Sequence, residues 1–409
     1  MSEPEDYEEE LRKIYKWNVV GLILSWVVWS PFQAMAQPYF QLYAKELGAT
    51  PIILSILSFV SNITISFSRI LGGYVADKYG RKKIVVYMTA VFSFSYLIYA
   101  YAPSWDWLLV GAFLSSVALL YQPALWSIMS DSTPKEKRGK IFSLYNFIPR
   151  VLSSIAPLVA IYFIQTLTFV PAMRFMCFLS FASGLMAFLI RLTFLKETLI
   201  TRNKILKEGM SFQKVYKDAL IFIKNNLLYI LIVEILFGCA LTMNFLAAYY
   251  SVYYLGLSEV DWGYIWTVGG IFALASTLPS GVMIDRIGRK PVILFSTLSF
   301  MFGSLIFFIS PYMTSNIFVL VLIALVATNI GSSIFFIVYN AIVTDMIPLE
   351  FRGRVNSVLT LLTGIINSFV ALLAGYIYTR FGANIPFLIS TIVTLFTITT
   401  IIIKIRETK

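Results

Sequence analysis
Twelve stretches of this chain are each long and apolar enough to cross a lipid bilayer. A crossing helix needs roughly 20 mainly apolar residues. Such runs fall near 17–44, 52–76, 84–102, 107–130, 141–165, 172–194, 227–255, 262–284, 291–310, 317–344, 355–379 and 386–403. Inside a bilayer the backbone must pair its own N–H and C=O groups, so runs of this length read as helices. Of all residues, 58% are apolar and 13% charged, against about a quarter charged in a soluble domain. Folded in water, such a chain would expose large apolar patches, which excludes an ordinary soluble enzyme. There is no His, and the two Cys, Cys177 and Cys239, each sit inside an apolar run. Zinc, haem and thiol–histidine sites are therefore not expected, and no cofactor is implied. The sequence predicts an all-α membrane protein with twelve transmembrane helices.

The basic residues give this array a direction. Of 32 Lys and Arg, 27 fall on one side of the twelve spans, with Arg191 counted among those of the central linker. Only Lys45, Arg174 and Arg380 fall on the other side, while Arg69 and Arg150 lie within spans. By the positive-inside rule both termini face the cytoplasm, and a plasma-membrane location is expected. The net charge of +11 is thus a topology signal. Residues 1–16 read as an acidic and then basic cytoplasmic tail rather than a secretory signal.

The chain also repeats itself. Segment 73–85, GYVADKYGRKKIV, returns at 281–293 as GVMIDRIGRKPVI, 208 residues later, with eight of thirteen positions the same or similar. Segment 131–144, DSTPKEKRGKIFSL, returns at 345–358 as DMIPLEFRGRVNSV. Lys196-Glu197-Thr198 after the sixth run is echoed by Arg406-Glu407-Thr408 after the twelfth. A six-helix unit has been duplicated. The expected plan is a six-helix bundle over 17–194, a cytoplasmic linker over 195–226, a second bundle over 227–403 and a tail over 404–409. Two like-oriented halves about an axis along the membrane normal form a transporter plan. In the linker, Phe212, Val215, Tyr216, Ala219, Leu220 and Ile223 recur at helical spacing, which predicts a surface-lying amphipathic helix over 211–224.

These motifs resemble the signature of the major facilitator superfamily. The pattern Gly-x-x-x-Asp-x-x-Gly-Arg-Lys stands at Gly73, Asp77, Gly80, Arg81 and Lys82, and again at Gly281, Asp285, Gly288, Arg289 and Lys290. The resemblance implies a fold of two pseudo-symmetric six-helix bundles and solute transport by alternating access. It also implies that the motif is a conformational latch. Asp77 would dock on the start of span eleven near Gly353 and Arg354 in the outward-open state, and Asp285 would face the start of span five near Gly139 and Lys140. Gly80 and Gly288 suit tight turns, and Gly73 suits a close helix approach. Arg81 and Arg289 have Asp131 and Asp345 as expected partners, with Arg138 and Arg352 completing the latch set.

Charges within spans are expensive and mark function by default. Glu234 and Arg150 each lie about nine residues into their spans, on the order of 13 Å deep. They would either pair across the halves, or Arg150 would bind an anionic solute while Glu234 takes up a proton. Arg69 is read as snorkelling to the cytoplasmic surface. Ser30, Gln33, Gln37 and Gln41 share one face of span one. With Gln122, Asn146, Asn244, Asn329, Ser333 and Asn340 they are the expected solute- or proton-binding lining. The resemblance implies that spans one, four, seven and ten line the cavity. Trp26, Trp29, Phe40, Tyr249 and Tyr250 are secondary candidates. Pro149 and Pro157 stand where many drug exporters of this family carry a Gly-rich stretch, and span four lacks the Arg of many proton-coupled members. The expected partners are a small-molecule solute, protons and lipid, with no nucleic acid, and the chain is expected to be a monomer. A polar or anionic metabolite such as a sugar or organic acid is the first expectation, and efflux of a drug-like amphiphile the second. A transport-dead sensor should show one latch copy eroded, and both are intact.

Overall fold
The computed structural model describes residues 5–134, 138–198, 218–313, 316–348 and 352–405. Among them twelve helices are long and apolar enough to cross a membrane. In order these are Lys16–Glu46, Pro51–Tyr79, Arg81–Tyr101, Trp105–Asp131, Ile141–Leu167, Phe169–Phe194, Asp218–Tyr254, Glu259–Ile287, Arg289–Tyr312, Ile317–Met346, Val355–Arg380 and Ile385–Lys404. No strand occurs among the described residues. Connections of a few residues make successive spans antiparallel within each half. The Tyr253–Glu46 contact puts the ends of spans seven and one on one face, so the start of span one and the end of span twelve share the other, here the terminal face.

Local chemistry explains the turns. Gly80 and Gly288, at the paired tight turns, have φ of +99° and +89°, a region that costs a residue with a Cβ. Span two starts at Thr50, whose side chain accepts the Ile53 N–H, with Pro51 directly after it. Span eight starts at a capping box in which the Ser258 and Asp261 side chains satisfy each other's backbone N–H groups.

Three spans are broken where they cross the middle of the bundle. Span one is α-helical to Ala36, tightens to a 3₁₀ turn at Gln37–Tyr39 and resumes at Phe40. Span four does the same at Leu119–Tyr121, and span seven at Asn244–Leu246. Pro38 and Pro123 belong to the first two breaks, because a proline inside a helix removes a donor and crowds the preceding turn. Span ten, their counterpart in the repeat, runs unbroken from Ile317 to Met346.

The halves meet at the face opposite the termini. There span two packs on span eleven, with Ser55 Oγ where a Cβ on Gly375 would stand. At mid-span, where the contact gives way to the groove, Ser66 Oγ lies likewise against Gly364. Span five packs on span eight, where Gly263 faces Tyr39 and Ile161. Towards the terminal face spans two and eleven part. A groove of about 500 Å³ opens between Ser66, Arg69 and Ile70 on one side and Asn356, Ser357 and Thr360 on the other.

Two expectations need correction. Residues 199–217 lie outside the described ones, and with them most of the expected surface helix. From Asp218 the chain is already span seven, and Ala219 and Ile223 are buried in the core of the second half beside Val292 and Val355. Nor does Gly73 receive a close neighbour: a Cβ there would meet nothing within 4 Å, and Gly281 is equally open. The close approach belongs to Gly72, where a Cβ would stand 2.2 Å from the Leu120 carbonyl oxygen. Gly73 continues instead the helix face of Ser66, Arg69 and Ile70, which borders the open groove. Gly72→Val should therefore destabilise the first half by about 1–3 kcal/mol, the usual cost of overpacking. Melting of the purified protein in detergent checks this, and an unchanged transition would mean that spans two and four are not closely joined there.

Candidate functional site
A set of adjoining cavities runs from inside the first half to the space between the halves. One of about 270 Å³ is bounded by spans one, four and five. A second of about 470 Å³ reaches across to spans eight and ten, and a third of about 320 Å³ lies deeper, beside the breaks in spans one and seven. The first two share Gln37, Arg150 and Ser153, so Arg150 stands at their junction.

The Gln stripe faces this space: Gln33 and Gln37 border the first cavity, and Gln37 and Gln41 the third. Asn146 and Gln122 border the first, Asn340 and Ser333 the second, and Asn244 and Asn329 the third. Asn244 donates to Ser304 Oγ at 2.7 Å, and its own Oδ1 is buried without a partner. Asn146 and Asn340 donate to the carbonyls of Phe142 and Phe336.

Above the third cavity the halves are stitched by hydrogen bonds at the helix breaks. Trp262 Nε1 donates to the Pro38 carbonyl at 2.9 Å, and Gln41 Nε2 donates to the Phe245 carbonyl. A carbonyl has two lone pairs, and one in a tightened turn is well placed to accept a second donor. Beyond these, Tyr253 donates to Glu46 at 2.7 Å while Lys45 lies 5.5 Å from the Tyr253 ring centroid.

Of the two alternatives for the intramembrane charges, the direct Arg150–Glu234 pair is not formed. Glu234 accepts a hydrogen bond from Tyr339 of span ten, within its own half. It lies seven residues before Leu241, which borders the third cavity, and so on the same helix face. Arg150 is exposed at the cavity junction, with no carboxylate among the described residues in ion-pair reach. Arg69 also departs from the snorkelling expectation. Its Nε donates to Gln122 Oε1 at 2.9 Å across to span four, beside the groove.

Arg191 is the residue that sequence reasoning misplaced. Counted with the basic linker, it is in fact fully buried inside the first bundle. Its guanidinium donates to Ser25 Oγ at 3.0 Å and Thr89 Oγ1 at 2.7 Å. Trp26, Trp29 and Tyr121 surround it with ring centroids 5.3–5.7 Å away. Its backbone is near the span end, and only the long side chain turned inward carries the charge to depth. Among the secondary aromatics, Trp26 borders the first cavity, while Trp29 and Tyr250 are fully buried.

The latch residues divide by half. Arg81, 2% exposed, holds Asp77 at 3.1 Å and Asp131 at 2.5 Å, tying spans two, three and four. Arg289 pairs with Asp345. Asp285, the counterpart of Asp77, is exposed and makes no ion pair among the described residues. The side chains of Arg138, Lys140, Arg352 and Arg354 lie outside the described ones, and Gly139 has open space where a Cβ would stand.

This chain belongs to the Major Facilitator Superfamily, whose sequence profile matches residues 20–277 and 230–409. It is a transporter of that family and not an enzyme. A Na⁺, Li⁺, K⁺/H⁺ antiporter of Planococcus maritimus is 30% identical over 133 residues, which is 30% of this chain and 30% of that protein. An uncharacterised MFS-type transporter of Methanocaldococcus jannaschii is 22% identical over 330 residues, 79% of this chain and 81% of its own. Among solved structures, a D-xylose–proton symporter superposes with a TM-score of 0.74 at 15% identity, covering 97% of this chain and 98% of that one. The last likeness shows the fold.

The unequal burial of the two latch arginines gives an ordering. Arg81→Gln leaves two carboxylates without their shared donor and should cost roughly 2 kcal/mol after solvent screening of the partly exposed acids. The Arg289 side chain is 24% and that of Asp345 51% exposed, so Arg289→Gln should cost under about 1 kcal/mol. Thermal melting of the two variants side by side tests the ranking, and a reversed order would contradict it.

Proposed function
We propose that this protein is a secondary transporter that moves a small polar or anionic solute, of sugar or organic-acid size, by alternating exposure of the central cavity. The observation that carries this reading is a polar cavity between two halves that are joined at one face and parted at the other. The distribution of basic residues supports a cytoplasmic terminal face in the cell membrane, and with it a cavity open to the cytoplasm. A single chain supplies the whole cavity, so a monomer suffices.

Closing the terminal face requires span eleven to approach span two across the groove. Gly73 and Asp77 continue the groove-facing side of span two, and a small residue followed by an acceptor suits that approach. When the groove closes, Asp77 exchanges part of its contact with Arg81 for the N-terminal end of span eleven, where unpaired amides favour an anion. The far-face hydrogen bonds then break, and the solute leaves on the other side. Only contacts that differ between the two states bias such an equilibrium.

Glu234 takes up the coupling proton. With no His in the chain, a relay at depth rests on carboxyl groups, and an acid in an apolar setting holds a proton more readily than one in water. Tyr339, bonded to Glu234, neighbours Asn340 at the cavity wall, so protonation reaches the lining through one turn of span ten. Antiport of a drug-like amphiphile is the second reading. The aromatic wall of the first cavity favours it.

Glu234→Gln should abolish pH-gradient-driven uptake of labelled sugars and organic acids into proteoliposomes while leaving gradient-free exchange in place; undiminished coupling would remove Glu234 from the mechanism. Gly73→Leu should keep the parent melting temperature and lower transport by about tenfold or more, a barrier change of about 1.4 kcal/mol. Spin labels at Ile70→Cys and Thr360→Cys span the groove. Their separation should shorten when the solute mixture is added to the parent background and stay long with Gly73→Leu. A fixed separation in the parent would refute alternating exposure.

A further inference from the structure
Resting on the transport reading, we infer that the first cavity takes an organic anion that bears a flat ring, with the acid group on Arg150 and the ring against Trp26, Trp126 and Tyr145. The charge inventory comes first. None of the three cavities or the groove has a carboxylate among its described lining residues, whereas Arg150 borders two of the cavities and Arg69 the groove. Glu234, an acid well inside a span, is engaged by Tyr339 in the other half. A guanidinium on a cavity wall with no counter-charge attracts an anion, Arg69 adds a second positive charge in the neighbouring groove, and a planar guanidinium suits a carboxylate in bidentate fashion.

The neutral groups are biased the same way. Because Arg69 occupies the Gln122 carbonyl oxygen, Gln122 is left with N–H groups to offer the first cavity. Trp26 Nε1 and Ser30 Oγ, both on residues of that cavity, are buried without a hydrogen-bond partner. Behind the wall, Arg191 adds a buried positive charge set among neutral hydroxyls and ring faces. Asn146 supplies the opposite polarity. Its amide N–H is committed to the Phe142 carbonyl, which leaves Oδ1 to accept from a hydroxyl or amine on the solute.

Shape specifies the rest. Trp26 and Tyr145 meet edge to face at 6.4 Å, and Trp126 and Tyr145 at 5.6 Å, forming an aromatic corner beside Arg150. Such a corner accepts a flat ring by offset stacking or edge contact. The cavity volume of about 270 Å³ lies below the usual range for drug-sized ligands, about 300–1,000 Å³, which points to a single small ring rather than a fused amphiphile.

The test uses the purified full chain and four probes of one size: benzoate, neutral benzamide, cationic benzylamine and cyclohexanecarboxylate, which keeps the charge but not the flat ring. Binding is read from tryptophan fluorescence and from the shift in melting temperature. Benzoate should bind about tenfold or more tighter than benzamide, with cyclohexanecarboxylate weaker than benzoate and benzylamine without effect. Arg150→Gln should remove the preference of benzoate over benzamide without changing the melting temperature of the unliganded protein. Arg69→Gln should weaken benzoate less, through a released Gln122. Benzamide or benzylamine binding as tightly as benzoate, an unchanged preference in Arg150→Gln, or no response to any probe would overturn the proposal. Counterflow of labelled benzoate in proteoliposomes separates the two readings. Binding without flux would sink transport and leave the site, whereas flux of neutral solutes with no anion preference would sink the site and leave transport.

Discussion

The two halves of this protein are held together by close backbone approach at one face, and the cavity exists because that approach is confined there. Apolar side chains alone drive little association between helices in lipid, since the tails are as apolar as Leu. What remains is packing at small residues and hydrogen bonds between polar groups. Both are concentrated towards the face opposite the termini: Gly375 against Ser55, Gly263 against Tyr39, and the Trp262 and Gln41 side chains on the carbonyls of Pro38 and Phe245, with Gly364 against Ser66 marking the mid-span limit of the seam. The two carbonyls sit in or beside the tightened turns that interrupt spans one and seven. A break that weakens its own helix thereby supplies an acceptor for the other half. The same breaks bring Gln37 and Asn244 to the cavity wall, so the seam and the lining have one structural origin.

Four arginines of the first half face the bundle or its cavities, and each case is solved differently. Arg81 is neutralised by two carboxylates at the terminal face. Arg191 is placed among hydroxyls and rings, where cation–π attraction of about 0.5–2 kcal/mol per ring offsets part of the desolvation cost. Arg69 leans on a neutral amide, and Arg150 faces the cavity. These four settings run from full compensation to none, and the uncompensated end lies where a solute would enter. A purely structural arginine would be expected at the compensated end, since an unpaired charge in low dielectric costs several kcal/mol.

Much of this architecture can be read from the residues. Runs of apolar residues near 20 in length have only one common structural solution in lipid, and the doubled Gly-x-x-x-Asp-x-x-Gly-Arg-Lys pattern locates the repeat and its tight turns, where Gly80 and Gly288 take the positive φ that their type allows. The Arg81–Asp131 and Arg289–Asp345 pairs follow from the same pattern, because the partners stand at corresponding places in both repeats. Arg191 was not legible: three residues from a span end, a long side chain can point outward to water or inward to the bundle, and the choice depends on Ser25, Thr89 and three rings from other helices. Gly72 and Gly73 are adjacent, so hydropathy cannot say which one meets span four. One overlooked signal was local. The dipeptide Gln-Pro occurs at 37–38 and again at 122–123, and a proline directly after a polar residue in mid-span marks both helix breaks.

The separation of Arg150 from Glu234 bears on how solute and proton would be coupled. Had they paired directly, a proton on Glu234 would release Arg150 by simple loss of charge, and coupling would be a local exchange of partners. They lie in different halves, and Glu234 is bonded to Tyr339, so no such exchange is available in the open-groove conformation. On the proposed reading the link must run through span ten. That span has no break where spans one, four and seven each have one, and a continuous helix moves as a unit where a broken one can bend. A change in the Glu234–Tyr339 bond near the terminal side would then shift Asn340 and Ser333 at the cavity wall together. The unbroken span is in this view the stiff element that carries a protonation event to the solute site, and the departure from the fourfold pattern of breaks is what makes it suitable.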